Sequence, residues 1–503
     1  MDAAGISNQN SAIRPAGLLT SPAHAAMLFA ALQCFVWTLA PALSHNSPPL
    51  DVVEGYLWGQ EWVVGTFKHP NMPGWVLETS RALTGQVGWP AYLASQLFVA
   101  ATYLTVFMLG REMMDSRRAL MGTLLLAGVF YFAWPTIEFN HNVAQMPFWS
   151  AIAWILWRLR MRPEIIWWVL LGFVGADSLY AKLSSSLMLM AAGAWILGDP
   201  ALRRQLLRPG PWFGLLVFLI VGGPLLLWLV KSHFGPLLYA AERASGPGVG
   251  VLTFLGAQGL ACLGLLALTV VTGLAGPIGA SGAAGPPPPP RIAIAFLAVI
   301  TLVPMVIAML LAATSGIGLK SMWGTPMFDL AGLLTVAVAS RRVTDRALLR
   351  LTIAVCVLLV VLPVGYAVDT RYESRFTGKP KRQNWPQVDI ATRFDELWRA
   401  NTGKPLRIVA GERWIAGLTA LRPGPMPSIL TDGDLRLSPW ITADRLRNQG
   451  ALVVWSMKAA SDSPPEALAQ LLDGHAKLTA RFASPLFPDA QPILIGYAIV
   501  PPG

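Results

Sequence analysis

Between positions 44 and 90 the chain gathers groups able to do chemistry at a membrane surface: Asp51, Glu54, Glu61, Lys68, His69 and Glu78, interleaved with Trp58, Trp62, Trp75 and Trp89. The tryptophans alone read as an aromatic belt, rings that anchor amphipathic segments at headgroup depth. Acids and a histidine held among them read as a site. Asp51 and Glu54 stand just beyond the first apolar run, where a carboxylate can face an acceptor hydroxyl and take its proton as that oxygen attacks. Three residues apart, they share a face if the stretch is helical.

Such a site must be carried by membrane helices. Of 503 residues, 54% are hydrophobic and only 13% charged, far from the balance of a soluble domain. Apolar runs near 27–43, 91–110, 118–135, 143–158, 164–180, 184–198, 211–231, 251–273, 291–313, 325–340 and 348–368 predict a polytopic α-helical membrane protein with about 11 transmembrane helices. Ala40-Pro41-Ala42 faintly resembles a cleavage site, yet the long leader and the many spans behind it predict an uncleaved first helix. The formal charge of +11 does not argue for nucleic acid, because the basic residues sit between apolar runs and not on one solvent face.

Those basic residues set the orientation. With a cytoplasmic N-terminus, one set of loops holds Arg111, Arg117 and Arg118, then Arg158, Arg160 and Arg162, then Arg203, Arg204 and Arg208, then Arg341, Arg342, Arg346 and Arg350. The opposite set holds only Lys68, Arg81, Lys182, Lys231, Arg243 and Lys320. Cytoplasmic loops carry the excess. Residues 44–90 and everything after about 368 are therefore expected outside the cytoplasm.

From about 369 the composition becomes that of a soluble domain. Strands are expected at 406–410, 451–455 and 492–500 and helices at 388–401, 442–449 and 464–472, which makes 369–503 a small α/β domain behind a membrane domain of 1–368. It shows no nucleotide fingerprint, since Gly403 and Gly411 are isolated. Residues 276–290, Gly/Ala-rich and ending in five prolines, predict an extended connector. Cys34, Cys262 and Cys356 lie in apolar runs and read as small buried hydrophobes. His45, His69, His141 and His233 all map to the outer side and with carboxylates could hold a divalent metal, but no local ligand spacing supports one. Asp177, near a span end, reads as a residue that reaches the interface or a polar neighbour.

Asp51-Val-Val-Glu54-Gly-Tyr-Leu-Trp58-Gly-Gln60-Glu61, followed by Gly65-Thr-Phe67-Lys68-His69-Pro70 and Trp75, resembles the first periplasmic loop of GT-C membrane glycosyltransferases. The nearest branch holds the bacterial lipid A aminoarabinose and rhizobial galacturonic acid transferases, with protein O-mannosyltransferases more distant. The resemblance continues through Glu138-Phe-Asn140-His141-Asn142, Tyr180-Ala-Lys182, the run 224–228 with Phe234 and Tyr239, and Trp323-Gly-Thr-Pro326, and covers about the first 340 residues. It implies an enzyme of a bacterial inner membrane, its C-terminal domain in the periplasm, that moves a sugar from a polyprenyl-phosphate donor to a lipid A, lipopolysaccharide core or other envelope glycolipid acceptor. Inversion is expected.

On that resemblance Asp51 is the base or the group that orients the acceptor; Glu54, by its own position beside it, is the second catalytic candidate. Lys68, His69 and Lys182 are the groups for the donor phosphate, whose growing charge cations must offset; His69 stands where relatives carry a lysine. Many relatives also have an acid in the second outer loop. Here that stretch offers Asn140 and Asn142, with Glu138 slightly earlier, so one base is expected and the asparagines would bond sugar or acceptor hydroxyls. For Glu138 and Asn142, capping of the adjoining helix ends is the alternative. A transporter, or a binding protein that kept this architecture without activity, are the competing readings; no internal repeat favours the transporter.

Overall fold

The computed structural model describes residues 21–244, 250–275, 287–316, 318–339, 342–459, 462–488 and 490–503. Its membrane part begins with α1 (Pro22–Ser44), followed by two short helices in the first loop, α2 (Leu50–Gly59) and α3 (Met72–Thr84). Then come α4 (Trp89–Met113), α5 (Ser116–Leu125), α6 (His141–Met161), α7 (Ile165–Ala181), α8 (Ser186–Gly198) and α9 (Pro200–Arg203). The remainder is α10 (Pro209–Lys231), α11 (Gly235–Ala244), α12 (Val251–Ala261), α13 (Leu263–Val271), α14 (Arg291–Ser315), α15 (Ala331–Val338) and α16 (Asp345–Thr377).

All eleven apolar runs are helical in part, but the expected count of spans changes. Among the described residues six helices are long and apolar enough to cross a membrane, or up to eight if each bent pair is one span. The run at 118–135 is broken by a 90° bend between Ser116–Gly128 and Phe130–Ile137, and the run at 184–198 leads into an 86° bend. The run at 325–340 is a 3-10 stretch, Ser321–Phe328, and then only the eight residues of α15. An apolar sequence records preference for lipid or core, and it does not record where the backbone turns back on itself. Cys356 corrects another expectation: it is exposed, on the face of α16 that also exposes Val357 and Val360, while Cys34 and Cys262 are half-buried. Of the expected connector, 276–286 lie outside the described residues; at its end the Pro287 carbonyl accepts a 2.8 Å bond from buried Arg118.

At 33 residues α16 is about 50 Å long at the usual helical rise, well over a bilayer's apolar thickness, so its end leaves the bundle and delivers the chain to the second domain. There α17 (Gln387–Thr402), α18 (Arg413–Ala420), α19 (Ala443–Gln449) and α20 (Ala469–Leu472) surround β1 (Ile408–Gly411), β2 (Ser428–Thr431), β3 (Ala451–Met457), β4 (Leu478–Phe482) and β5 (Ile493–Val500). The sheet order is β2-β1-β3-β5-β4, with β1 parallel to both neighbours and β5 antiparallel to both of its own. β1 is fully buried, as a strand with parallel partners on both sides should be. The chain leaves β1 at Gly411, where a Cβ would lie 2.0 Å from the Val454 carbonyl, and turns at once into α18.

Candidate functional site

Helix α2 lies between the two domains. On one side it crosses α3 so closely that a Cβ on Gly59 would meet the Gly74 carbonyl oxygen at 2.1 Å. On the other it receives α18, where a Cβ on Gly417 would meet Val53 at 2.5 Å. Its first turn carries Asp51, whose backbone N–H would otherwise be one of the orphan donors of a helix start. Glu138 Oε1 accepts that bond at 2.8 Å. Glu138 is thus a cap, but of α2 and not of the helix adjoining it in sequence. The cap of α6 is Asn140, whose Oδ1 accepts from the N–H groups of Asn142 and Val143.

Lys68 and His69 stand at the tip of a tight loop. The Thr66 N–H reaches the His69 carbonyl at 2.9 Å, and the Asn71 N–H reaches the Val64 carbonyl at 3.0 Å. Asn71 Nδ2 ties this loop to the carbonyls of Trp58 and Val63, and Trp75 Nε1 adds a 3.0 Å bond to Val63. Two of the four interfacial tryptophans therefore brace the loop: Trp75 by that bond, and buried Trp58 by its contacts with Phe67 and the Lys68 ammonium. Trp62 and Trp89 stay exposed.

From that tip Lys68 Nζ reaches Glu54 Oε2 at 2.7 Å and Asp51 Oδ1 at 3.1 Å. Glu54 is 2% exposed, and its second oxygen is held at 2.8 Å by Arg413, the first residue of α18. Asp51 differs, with 31% of its side chain open. Burial alone would raise its pKa; Lys68 beside it, then His141 and Lys182, outweigh that and hold the carboxyl below its ordinary range. For Lys68 burial disfavours the ammonium, but Asp51 and Glu54 outweigh it and raise the group. Glu138 behaves oppositely. Enclosure, reinforced by the Asp51 charge, pushes it up to about 8, so it keeps its proton at neutral pH. Of three neighbouring carboxyls, Asp51 alone is both ionised by its surroundings and open.

Lys182, the residue that ends α7, is buried and donates to Asn142 Oδ1. Burial brings it down to about 8, against the opposing pull of Asp51. The His69 and His141 rings lie with centroids 4.2 Å apart, tilted by 43°, and His141 Nε2 lies 2.9 Å from the Pro70 carbonyl. The four loop histidines do not gather: His45 bonds the hydroxyls of Tyr92 and Tyr366, and no group of three possible metal ligands occurs among the described residues. Asp177 is half-buried in the last turns of α7, near Tyr180.

These side chains line one cavity of about 490 Å³ that holds Asp51, Lys68, His69, Glu138, Asn140, His141, Asn142 and Lys182, with Lys320, Trp323, Tyr239 and Arg382 on its far walls. A second, mostly apolar groove of about 380 Å³ continues from it between α8, α11 and α14, and shares Lys68, His69, Lys182, Ala240 and Trp323. Every site residue expected from the sequence except Glu54 lines the cavity, and Glu54 lies directly behind its wall. Sequence reasoning missed Arg413 and Arg382. The one signal for Arg413 was its place just after a buried strand, where a parallel sheet presents functional side chains.

The sequence profile of the dolichyl-phosphate-mannose-protein mannosyltransferase family matches residues 68–228. No curated protein sequence matches the chain. The fold is that of the crystal structure of ArnT from Cupriavidus metallidurans in the apo state, with TM-score 0.61 and 13% identity over 94% of this chain and 97% of that one. The crystal structure of the same protein bound to undecaprenyl phosphate gives TM-score 0.60 and 13% identity over 93% and 97%. The GT-C resemblance read from the sequence is met twice, by the family profile over residues 68–228 and by an ArnT-like fold over 94% of the chain.

Proposed function

We propose that this protein is a glycosyltransferase that moves a sugar from a polyprenyl-phosphate donor to a lipid or glycolipid acceptor, such as lipid A or lipopolysaccharide core, on the periplasmic face of a bacterial inner membrane. The observation that carries the reading is the junction of the two cavities. The apolar groove between α8, α11 and α14 suits a polyprenyl chain, and it meets Lys68, His69 and Lys182, where a phosphate would sit. ArnT, the protein of like fold, has been crystallised with undecaprenyl phosphate, which supports this class of donor.

In this reading the Asp51 carboxylate accepts the proton of the acceptor hydroxyl as its oxygen attacks the anomeric carbon. The bond from that carbon to the phosphate oxygen breaks, its electron pair leaves with the polyprenyl phosphate, and Lys182 with Lys68 offsets the charge that grows there. A single displacement of this kind inverts the anomeric centre. Asn140 and protonated Glu138 stand where they can bond sugar hydroxyls. Purified protein incubated with labelled polyprenyl-phosphate sugars and envelope glycolipids should release polyprenyl phosphate. Donor binding without release would support a binding protein, and movement of the intact donor across vesicles without cleavage would support a transporter.

A further inference from the structure

We propose that Arg413 is a positioning residue of this site, supplied by the C-terminal domain: through Glu54 it fixes Lys68, and through Lys68 it sets the Asp51 carboxylate. The four groups form one chain of contacts, Arg413 to Glu54 at 2.8 Å, Glu54 to Lys68 at 2.7 Å and Lys68 to Asp51 at 3.1 Å. Glu54, the second of the four, is the buried one.

The local fold explains why this arginine can reach so far. β1 is the central parallel strand, its chain crosses to β2 through α18, and the next crossover returns on the other side to β3. The carboxyl end of β1 is therefore a switch point, the place in an open α/β sheet where ligands and functional side chains collect. Here that end faces α2, a helix of the other domain. Gln387 Nε2 bonds the carbonyls of Leu418 and Leu421 and so fixes the far end of α18. The guanidinium also lies over the Phe67 ring, in the turn that carries Lys68, with Tyr239 and Asp432 nearby. It therefore braces both the acid and the loop.

A carboxylate as buried as Glu54 needs cations. With Arg413 removed, only Lys68 is left to it, and Lys68 closes on Glu54 and withdraws from Asp51. The other titratable and charged groups around Asp51 stay in place: Glu138 and His141 at the start of α6, Lys182 at the end of α7, and Lys320 and Arg382 on the far walls of the cavity. The expected result is an Asp51 that holds its proton to higher pH.

The rate readout rests on the transferase reading, so the test also includes one that does not. In the full-length protein, labelling of Asp51 by a water-soluble carbodiimide, followed by mass spectrometry against pH, reports its protonation; Glu54 is too buried to react. In Arg413→Ala the labelling midpoint should rise by about one pH unit. For the transfer reaction kcat should fall about tenfold or more, and the acid limb of kcat should move to higher pH. Arg413→Lys should restore much of both. Arg81→Ala, which removes a docking contact to the Pro423 and Gly424 carbonyls, should shift neither midpoint nor limb. If Arg413→Ala does not fold, Arg413→Gln is made in a Glu54→Gln background, where it should leave the midpoint of that background unchanged; a further shift overturns the relay. An unchanged midpoint in folded Arg413→Ala also overturns it, and so does a loss of rate matched by Arg81→Ala. A wild-type protein that cleaves no donor would defeat the transferase reading alone, since the labelling still decides the role of Arg413.

Discussion

The two ends of the helical bundle both carry ion pairs, and the pairs are built differently. At the end rich in arginine each acid meets one cation: Asp345 with Arg117, Glu112 with Arg158, Asp199 with Arg160. These contacts tie neighbouring helices, and the Arg117 pair stands largely in the open. At the other end Lys68 serves two carboxylates, and Glu54 draws on two cations from different domains. Paired one to one, charges can be removed independently. When they are shared, removal of one redistributes the rest, and the exposed member, Asp51, feels every change.

The largest expected effect breaks the shared network at its open end. Asp51→Asn keeps size and most hydrogen bonding but removes the basicity, so turnover should fall ~100-fold or more in a polyprenyl phosphate release assay. The melting temperature should hardly move, because the side chain is partly open and makes a single ion pair. If turnover survives, the base is another group.

Glu54→Gln strikes the buried member. It leaves Lys68 and Arg413 facing a neutral amide, so stability should fall by about 3 kcal/mol in denaturant unfolding, with a smaller loss of rate than Asp51→Asn. A full loss of rate with unchanged stability would reverse the roles assigned to the two carboxylates.

Lys182→Ala should raise donor KM by about tenfold through loss of a charge-assisted contact. Because burial holds Lys182 at about 8, its charge is present below that pH and lost above it. Donor KM of the wild type should therefore climb between pH 7 and 9. Lys182→Arg, whose guanidinium keeps its proton throughout, should flatten that climb.

The smallest effect tests the other end. Arg117→Gln should change stability by no more than about 1 kcal/mol and the rate by less than about twofold, as for any exposed pair. A large effect there would erase the distinction between the two ends.

The sequence alone determined that this is a membrane protein, because runs of apolar residues have one solvent that suits them, and it marked the loop where Asp51, Glu54, Lys68 and His69 cluster. Local chemistry was enough for that. It also carried most of the small domain's helices and strands, though not the short β2, β4 and α18, whose four to eight residues hold too little periodicity to stand out. What a carboxylate does was beyond it. Asp51 and Glu54 share a helix and a cation, and only tertiary packing makes one buried and clamped and the other open. Glu138 lies 87 residues from the N–H it caps, and Arg413 lies 359 residues from the acid it holds. Burial and long-range charge depend on which distant segments the fold brings together, and the residue types in a short stretch of sequence do not record that.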